Sequence, residues 1–146
     1  MTGYGQFCAI ARAHEVLGGR WTLLIVRELL MGSRRFNDIR RGIPRISKTV
    51  LSERLQDLVH FGVATRRDGA YGPEYDLTDS GRELFDLVVT LGTWGQRWLP
   101  RHGAEDADLD PLLHDMARRT YPQHLPPEPR VIRFALDRQP LRFLLM

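Results

Sequence analysis

Between Gly32 and Thr78 the sequence places a capped amphipathic helix directly before a glycine-containing hairpin, and this order of elements constrains the fold most strongly. Ser47 precedes a periodic apolar run, and a serine hydroxyl can accept a hydrogen bond from a free backbone N–H of the first helical turn. We therefore predict a helix that begins at about Lys48. His60-Phe61-Gly62 ends this helix, since glycine suits the left-handed position after a helix.

The predicted helix has two chemically different faces. Its apolar residues recur at i, i+4, i+7 and i+8 and form one stripe, made by Leu51, Leu55, Leu58 and Val59. The opposite face is polar and carries Thr49, Ser52, Glu53 and Gln56. Such short or planar side chains can exchange hydrogen bonds with base edges in a major groove roughly 12 Å wide. We predict a reading helix over about 47–61.

The segment after this helix has the pattern of a wing, the β-hairpin of a winged-helix domain. Residues 63–67 predict a strand, Asp68-Gly69 a turn and residues 74–77 the returning strand, with a loop of several residues between them. The side chains expected at its tip or base, over about 66–74, are Arg66, Arg67 and Tyr71. In such a domain the wing and linker arginines bind phosphates, while side chains of the helix contact base edges and read the sequence.

Positive charge is concentrated in the same stretch. From Arg27 to Arg67 there are ten Arg or Lys against four Asp or Glu, whereas the whole chain is only +3. Local positive charge of this kind fits a footprint on double-stranded DNA. The candidate DNA-binding residues are Arg34, Arg35, Asn37, Arg45, Ser47, Lys48, Thr49, Ser52, Gln56, Arg66, Arg67 and Tyr71. The alternative is a winged-helix protein-interaction module without specific DNA binding, since a protein-docking domain can carry a similar surface.

Scaffold helices are predicted on the N-terminal side. A first helix ends at Gly18-Gly19, and a second runs from about Arg20 to Leu30, with Trp21 as a core anchor. A short third helix supports the reading helix; Asn37 is expected to cap it and Ile43-Pro44 to end it.

A long helix should follow the hairpin, capped by Thr78. Its apolar stripe is longer than one small domain needs, which favours a partner helix from a second copy. The predicted dimer interface consists of Leu84, Leu87, Leu91, Trp94 and Trp98. The alternative is a helix folded back on its own domain or onto the C-terminal tail.

The expected fold class is mainly α with small β, an α+β chain with a winged helix-turn-helix domain at residues 1–100. Residues 101–146 are predicted to form a polar linker, a short helix and a β-hairpin of residues 131–136 and 141–146 around a turn at 137–140. Two strands rarely make a stable sheet alone. We therefore expect this extension to pair with its counterpart in a second copy or to dock on the long helix, stabilising the dimer.

Six motifs in this order resemble the HxlR-type winged-helix transcriptional regulators of bacteria, which are MarR-like in architecture. They are Cys8–Ala13, Gly18–Thr22, Arg27–Leu30, Arg35–Ile39, Leu51–Leu55 and Tyr75–Gly81. The resemblance covers roughly residues 7 to 99. It implies a homodimeric regulator, in our interpretation a repressor, that binds an inverted-repeat operator. The extension after residue 100 resembles the start of the sterol-carrier-like domain that some members carry.

Cys8 is the single cysteine, so an internal disulfide and a zinc cluster are both excluded. In some relatives the cysteine of this motif responds to oxidants, quinones or aldehydes, so the resemblance makes Cys8 a candidate sensor of an electrophile or small-molecule effector. The alternative is a small buried hydrophobe. We find no phosphate loop, metal-ligand spacing or catalytic constellation, and expect no enzyme activity and no cofactor. With neither a membrane span nor a signal peptide, we expect a cytoplasmic protein without a membrane partner.

Overall fold

A computed structural model describes Tyr4, Gly5, residues 7–100 and the backbone of residues 131–136 and 139–144. The chain divides into two compact units, residues 1–115 and 116–146. The elements in chain order are α1 (Ala9–Leu17), α2 (Thr22–Leu30), α3 (Phe36–Arg41), α4 (Lys48–His60), β1 (Ala64–Gly69), β2 (Gly72–Leu77), α5 (Asp79–Arg82), α6 (Leu84–Trp98), β3 (Val131–Leu136) and β4 (Gln139–Leu144). The predicted class, mainly α with small β, is confirmed.

One apolar core holds α2, α3, α4 and the wing together. Its buried side chains are Ile25, Val26, Leu29, Ile39, Ile43, Ile46, Leu51, Leu55, Leu58, Val63, Ala64, Tyr75 and Leu77. The apolar stripe predicted for α4 supplies three of these residues, and all three are fully buried. Burying a leucine side chain contributes about 1.5–3 kcal/mol. The stripe therefore determines which face of α4 remains exposed.

Both predicted ends of α4 are confirmed. The Ser47 hydroxyl accepts a hydrogen bond from the Val50 N–H at 3.2 Å. At the other end Gly62 has φ +71°, in the left-handed region. The Val63 N–H donates to the Leu58 carbonyl at 2.9 Å and the Gly62 N–H to the Val59 carbonyl at 3.1 Å, which is the Schellman pattern.

Two predictions for the scaffold helices are wrong in detail. Helix α2 begins at Thr22, two residues later than predicted, because Trp21 has φ 79° and cannot be helical. Asn37 does not cap α3: the N-cap residue is Arg35, Asn37 lies inside the first turn, and no side chain caps this helix. Arg35 is extended because its backbone forms a bridge to Glu74. Trp21 is half-buried against the core, with the Arg20 guanidinium 4.7 Å from its ring centre.

The wing is a tighter hairpin than predicted. Strands β1 and β2 pair antiparallel from Ala64↔Leu77 to Gly69↔Gly72, so only Ala70-Tyr71 connects them. The predicted turn at Asp68-Gly69 and the loop of several residues are therefore wrong. Gly72 has φ +112°, a conformation that only glycine adopts readily. The Tyr75 N–H also donates to the Arg34 carbonyl at 2.9 Å, which joins the linker before α3 to the outer edge of the wing.

The long helix predicted after the wing is capped as expected but is interrupted. The Thr78 hydroxyl accepts a hydrogen bond from the Gly81 N–H at 3.2 Å. The helix then breaks at Glu83 into α5 and α6. Gly81 lies against the Val63 carbonyl so closely that a side chain would not fit, which docks α5 on the end of the hairpin. No residue of α6 is fully buried.

In the second unit, β3 and β4 pair antiparallel from Val131↔Leu144 to Leu136↔Gln139. The second strand begins at Gln139, so Gln139 and Pro140 belong to β4 and not to the turn that we predicted. The predicted linker and short helix lie outside the described residues.

Candidate nucleic-acid interface

The polar face of α4 is positioned by the burial of its apolar face. Thr49, Glu53 and Gln56 are exposed on it, and Ser52 is half-buried. Arg45, Ser47 and Lys48 are exposed at the N-terminal end of the helix, although the Ser47 hydroxyl is occupied by its capping bond. The side chains that we predicted to meet bases thus lie together along one exposed face. Glu53 also lies on this exposed face, and a carboxylate can accept a hydrogen bond from cytosine N4.

Three predicted phosphate-binding arginines form one cluster. The arginine cluster consists of Arg34 and Arg35, from the linker before α3, and Arg67, from β1. Two acidic residues of β2, Glu74 and Asp76, here called the wing carboxylates, contact all three. Nη2 of Arg67 is 3.0 Å from Oε2 of Glu74 and 3.4 Å from Oδ2 of Asp76. Arg35 Nε is 3.7 Å from Oε1 of Glu74, and Arg34 is paired with Asp76.

The two wing arginines point to opposite faces of the hairpin, because successive side chains of a strand alternate. Arg67 lies opposite Glu74 in the register and belongs to the arginine cluster. Arg66 lies opposite Tyr75, and its Nη2 is 3.1 Å from Oδ1 of Asp68. The sequence predicts Arg66 and Arg67 as equivalent phosphate contacts. In the structure only Arg67 shares carboxylate partners with the linker arginines.

Tyr71 lies at the wing tip and is 83% exposed. The Arg35 guanidinium is 5.0 Å from the centre of its ring, within the range of a cation–π contact. This contact connects the tip of the wing to the arginine cluster. An exposed aromatic ring held in this way can stack on or wedge against a nucleic acid.

The wing carboxylates reduce the local positive charge that the sequence indicates. Extending the counted segment from Arg67 to Leu77 adds Asp68, Glu74 and Asp76 and no basic residue, which leaves ten basic and seven acidic residues. The surface is nevertheless basic, because the arginines lie outside the carboxylates. Glu74 and Asp76 are about 20% exposed, whereas the three arginine side chains are 49–64% exposed.

A buried ionic strut supports the helix-turn-helix from behind. Glu28 of α2 is 1% exposed, and its Oε1 accepts from Arg27 Nη2 at 2.9 Å. The same Arg27 nitrogen donates to the Gly42 carbonyl at 3.0 Å, and the Ser33 hydroxyl donates to Glu28 Oε2 at 3.3 Å. This strut joins α2 to the segments on both sides of α3. We did not predict it, because the contact of Arg27 with the Gly42 carbonyl joins residues fifteen positions apart.

The candidate sensor Cys8 is exposed at the N-cap of α1, and its carbonyl accepts the Arg12 N–H at 3.1 Å. The buried alternative for Cys8 is thus wrong. His14 is hydrogen-bonded to the Tyr4 hydroxyl, 2.7 Å from Nδ1, and the Tyr4 N–H donates to Glu15 at 2.7 Å. Within the described part of the chain no three His, Cys, Asp or Glu side chains are grouped to hold a metal ion.

Helices α1, α2 and α6 enclose an open apolar groove of about 500 Å³. Leu87 and Leu91 line it from α6, and Ile10, Leu17 and Leu24 from the other two helices. Of the predicted interface residues, Leu87, Leu91, Trp94 and Trp98 are exposed, whereas Leu84 packs partly against its own core. Helix α1 buries none of its residues either, and its exposed Ile10 is one of the residues that line the groove. The predicted interface contained no residue of α1.

A helix-turn-helix with an exposed polar face on its second helix, followed by a hairpin that carries an arginine cluster on one face, defines a winged helix-turn-helix domain of the transcription-regulator class. The profile of the HxlR-like helix-turn-helix family matches residues 16–103, and the chain belongs to this family.

Similar proteins carry regulator names. The uncharacterized HTH-type transcriptional regulator MT3179 of Mycobacterium tuberculosis is 46% identical over 98 residues, which are 64% of this chain and 60% of the relative. The crystal structure of PA1607, described as a candidate transcription factor, is 31% identical with a TM-score of 0.64 and covers 73% of this chain and 75% of its own. Reduced YodB of Bacillus subtilis, a transcriptional regulator, is 28% identical with a TM-score of 0.56 and covers 67% and 100%. YodB has also been solved bound to quinone and after diamide treatment.

These similarities have a defined extent. The chain spans about 60% of the length of the mycobacterial relatives that it matches. The family match ends at residue 103, so the resemblance of the C-terminal extension to a sterol-carrier-like domain has no support from it. None of the helices within the described residues is long and apolar enough to cross a membrane.

Proposed function

We propose that this protein is a sequence-specific DNA-binding transcriptional regulator that acts as a homodimer on an inverted-repeat operator, as a repressor. Helix α4 lies in the major groove, and the wing contacts phosphates beside it. The observation that carries this proposal is the combination of an exposed polar face on a helix anchored by three fully buried leucines with an arginine cluster joining linker to wing.

The different roles of α4 and of the arginine cluster follow from the chemistry of these two surfaces. Thr49 and Gln56 carry groups that both donate and accept hydrogen bonds, as base edges require. The arginine cluster presents fixed, planar donors, which suit phosphate oxygens and carry no sequence information. Binding should therefore depend on base sequence through α4 and on salt through the cluster.

The proposed dimer rests on the exposed apolar residues of α1 and α6. Leu87, Leu91 and Trp94 are each about half exposed, and Ile10 is 80% exposed. Contiguous apolar surface of this kind marks an interaction site in a folded domain. A second copy related by two-fold symmetry would cover it and would place two reading helices about one DNA turn, ~34 Å, apart.

The test is binding of the full chain to its own upstream intergenic DNA and to random duplex of equal length, at two salt concentrations. We expect preferential binding that persists at the higher salt. Gln56→Ala and Thr49→Ala should reduce this preference, whereas Arg67→Ala should weaken all duplexes alike and lower the salt slope by about 1. Arg82→Ala is a matched control, because Arg82 is also exposed and ion-paired but belongs to α5. Equal affinity for both DNAs, or none, would instead favour the protein-interaction module.

We also propose that Cys8 senses electrophiles. Its sulfur belongs to an exposed residue at the N-cap of α1, a helix of the proposed dimer interface, so an adduct there would alter helix packing between copies. The resemblance to YodB supports a quinone as the probe. Quinone treatment should weaken operator binding by the wild type and leave Cys8→Ser unaffected; an unchanged affinity of the treated wild type would exclude the sensor.

A further inference from the structure

We propose that the wing carboxylates, Glu74 and Asp76, are positioning residues for DNA binding, because they hold the arginine cluster in the array that meets phosphates. This inference rests on the proposed function and deepens it. At first sight acidic residues in a DNA-binding wing should oppose binding. Their burial and contacts indicate the opposite role.

The layering of the cluster is the first argument. Glu74 and Asp76 are 19% and 21% exposed, whereas the arginine side chains are 49% to 64% exposed. The carboxylates therefore lie beneath the guanidinium groups. A phosphate that approaches this surface meets N–H donors first.

The donor count is the second argument. Each arginine uses one nitrogen toward the carboxylates: Nη1 of Arg34, Nε of Arg35 and Nη2 of Arg67. A guanidinium has five N–H donors in a rigid fork. One edge can stay on the carboxylate while another binds a phosphate oxygen, so DNA binding does not require the ion pairs to break.

The chain connectivity is the third argument. Arg67 comes from β1 and Arg35 from the linker before α3, and Glu74 of β2 contacts both side chains. The backbone bridge between Arg35 and Glu74 fixes the linker at the same place. Without the two negative charges, the three guanidinium groups that contact them would repel one another and adopt separate rotamers. The carboxylates thus supply the order that phosphate contacts would otherwise have to impose.

Two effects of neutralising Glu74 have opposite signs. Removing a negative charge near the surface strengthens the attraction to DNA, by about twofold for one charge in a screening solvent. Removing the carboxylate that Arg35 and Arg67 share leaves Arg67 only its longer contact to Asp76. Both side chains must then be ordered again on binding, which weakens affinity by about tenfold for two long side chains. We expect the second effect to win.

The experiment compares Glu74→Gln with Asp68→Asn in the full chain, by fluorescence anisotropy on the upstream intergenic duplex. Both variants remove one negative charge from the wing, but Asp68 is 85% exposed and pairs with Arg66 on the other face. We expect Glu74→Gln to bind about tenfold more weakly, and Asp68→Asn to bind equally or up to about twofold more tightly. Equal or tighter binding by Glu74→Gln would overturn the proposal.

A double-mutant cycle separates positioning from a general structural role. If Glu74 acts through Arg67, then Glu74→Gln should cost much less affinity when Arg67 is already alanine. We expect the fold loss of duplex affinity in the Arg67→Ala background to be less than half of the loss in wild type. A full effect in that background would count against the proposal. If Glu74→Gln does not fold, Asp76→Asn is an independent test, and it too should bind the duplex more weakly than wild type. Wild type that binds no duplex would refute the proposed function itself, whereas wild type that binds and loses nothing in Glu74→Gln or Asp76→Asn would refute only the positioning role.

Discussion

At the scale of single residues, Ser47 joins stability to recognition, because it caps the helix whose exposed face is proposed to read DNA. Its hydroxyl accepts the Val50 N–H at 3.2 Å. Ser47→Ala should lower the free energy of unfolding by about 1 kcal/mol. Urea unfolding followed by circular dichroism measures this change. Ser47→Asp keeps an oxygen acceptor and should remain close to wild type; an equal loss in both variants would show that the cap is not the cause.

Residues whose roles depend on near neighbours were predictable from the sequence. The caps Ser47 and Thr78 and the left-handed Gly62 act on groups within a few positions along the chain, so local chemistry identifies them. The roles of Glu74 and of the contact between Arg27 and Gly42 were not predictable, because the fold brings these partners together from separate parts of the chain. The carbonyl of Gly42, for example, is fifteen residues from the Arg27 that binds it. The polar face of α4 belongs to the first kind and the arginine cluster to the second.

At the scale of elements, the strut between α2 and α3 makes Gly42 a sensitive position. A side chain at Gly42 would collide with the carboxyl group of the buried Glu28. Gly42→Ala should therefore destabilise the domain by about 1–3 kcal/mol, as overpacked sites do. Thermal unfolding measures this loss. Asn37→Ala is the control in helix α3, which Gly42 follows. Asn37 is exposed and caps nothing, so this change should alter stability by less than about 0.5 kcal/mol.

The wing shows why the boundaries of the strands could not be predicted from the sequence. Asp68-Gly69 has the local signature of a turn, yet both residues pair across the hairpin. The register is determined instead by Tyr75 and Leu77, which are buried on the core, and by the Arg67 to Glu74 pair across the strands. The break at Glu83 has a similar origin, since it follows from the docking of Gly81 on the Val63 carbonyl. Contacts between elements determined these details, and a local pattern does not contain them.

At the scale of the whole molecule, helices α1 and α6 carry an apolar surface that the described residues of the first unit leave exposed. Helix α1 buries no residue, and α6 packs on the core only through Leu84 and Val88. A helix of nine residues, such as α1, is only marginally stable in water unless its apolar side is packed. Cys8 is the N-cap residue of α1, so dimer formation through α1 and any response of this thiol should be coupled.

A charge introduced on the groove side of α6 tests this assembly. Leu91→Glu places a carboxylate in the apolar groove, and it should convert a dimer into a monomer and reduce operator affinity by at least about a hundredfold, since a single half-site retains only part of the binding energy. Light scattering should give twice the 16.9 kDa chain mass for wild type and the single mass for the variant. Thr93→Glu is the matched control: two residues further along the helix, it lies about 200° around the axis, on another face. Its dimer should persist, whereas a dimeric Leu91→Glu, or a wild type that is monomeric at micromolar concentration, would show that these helices are covered in some other way.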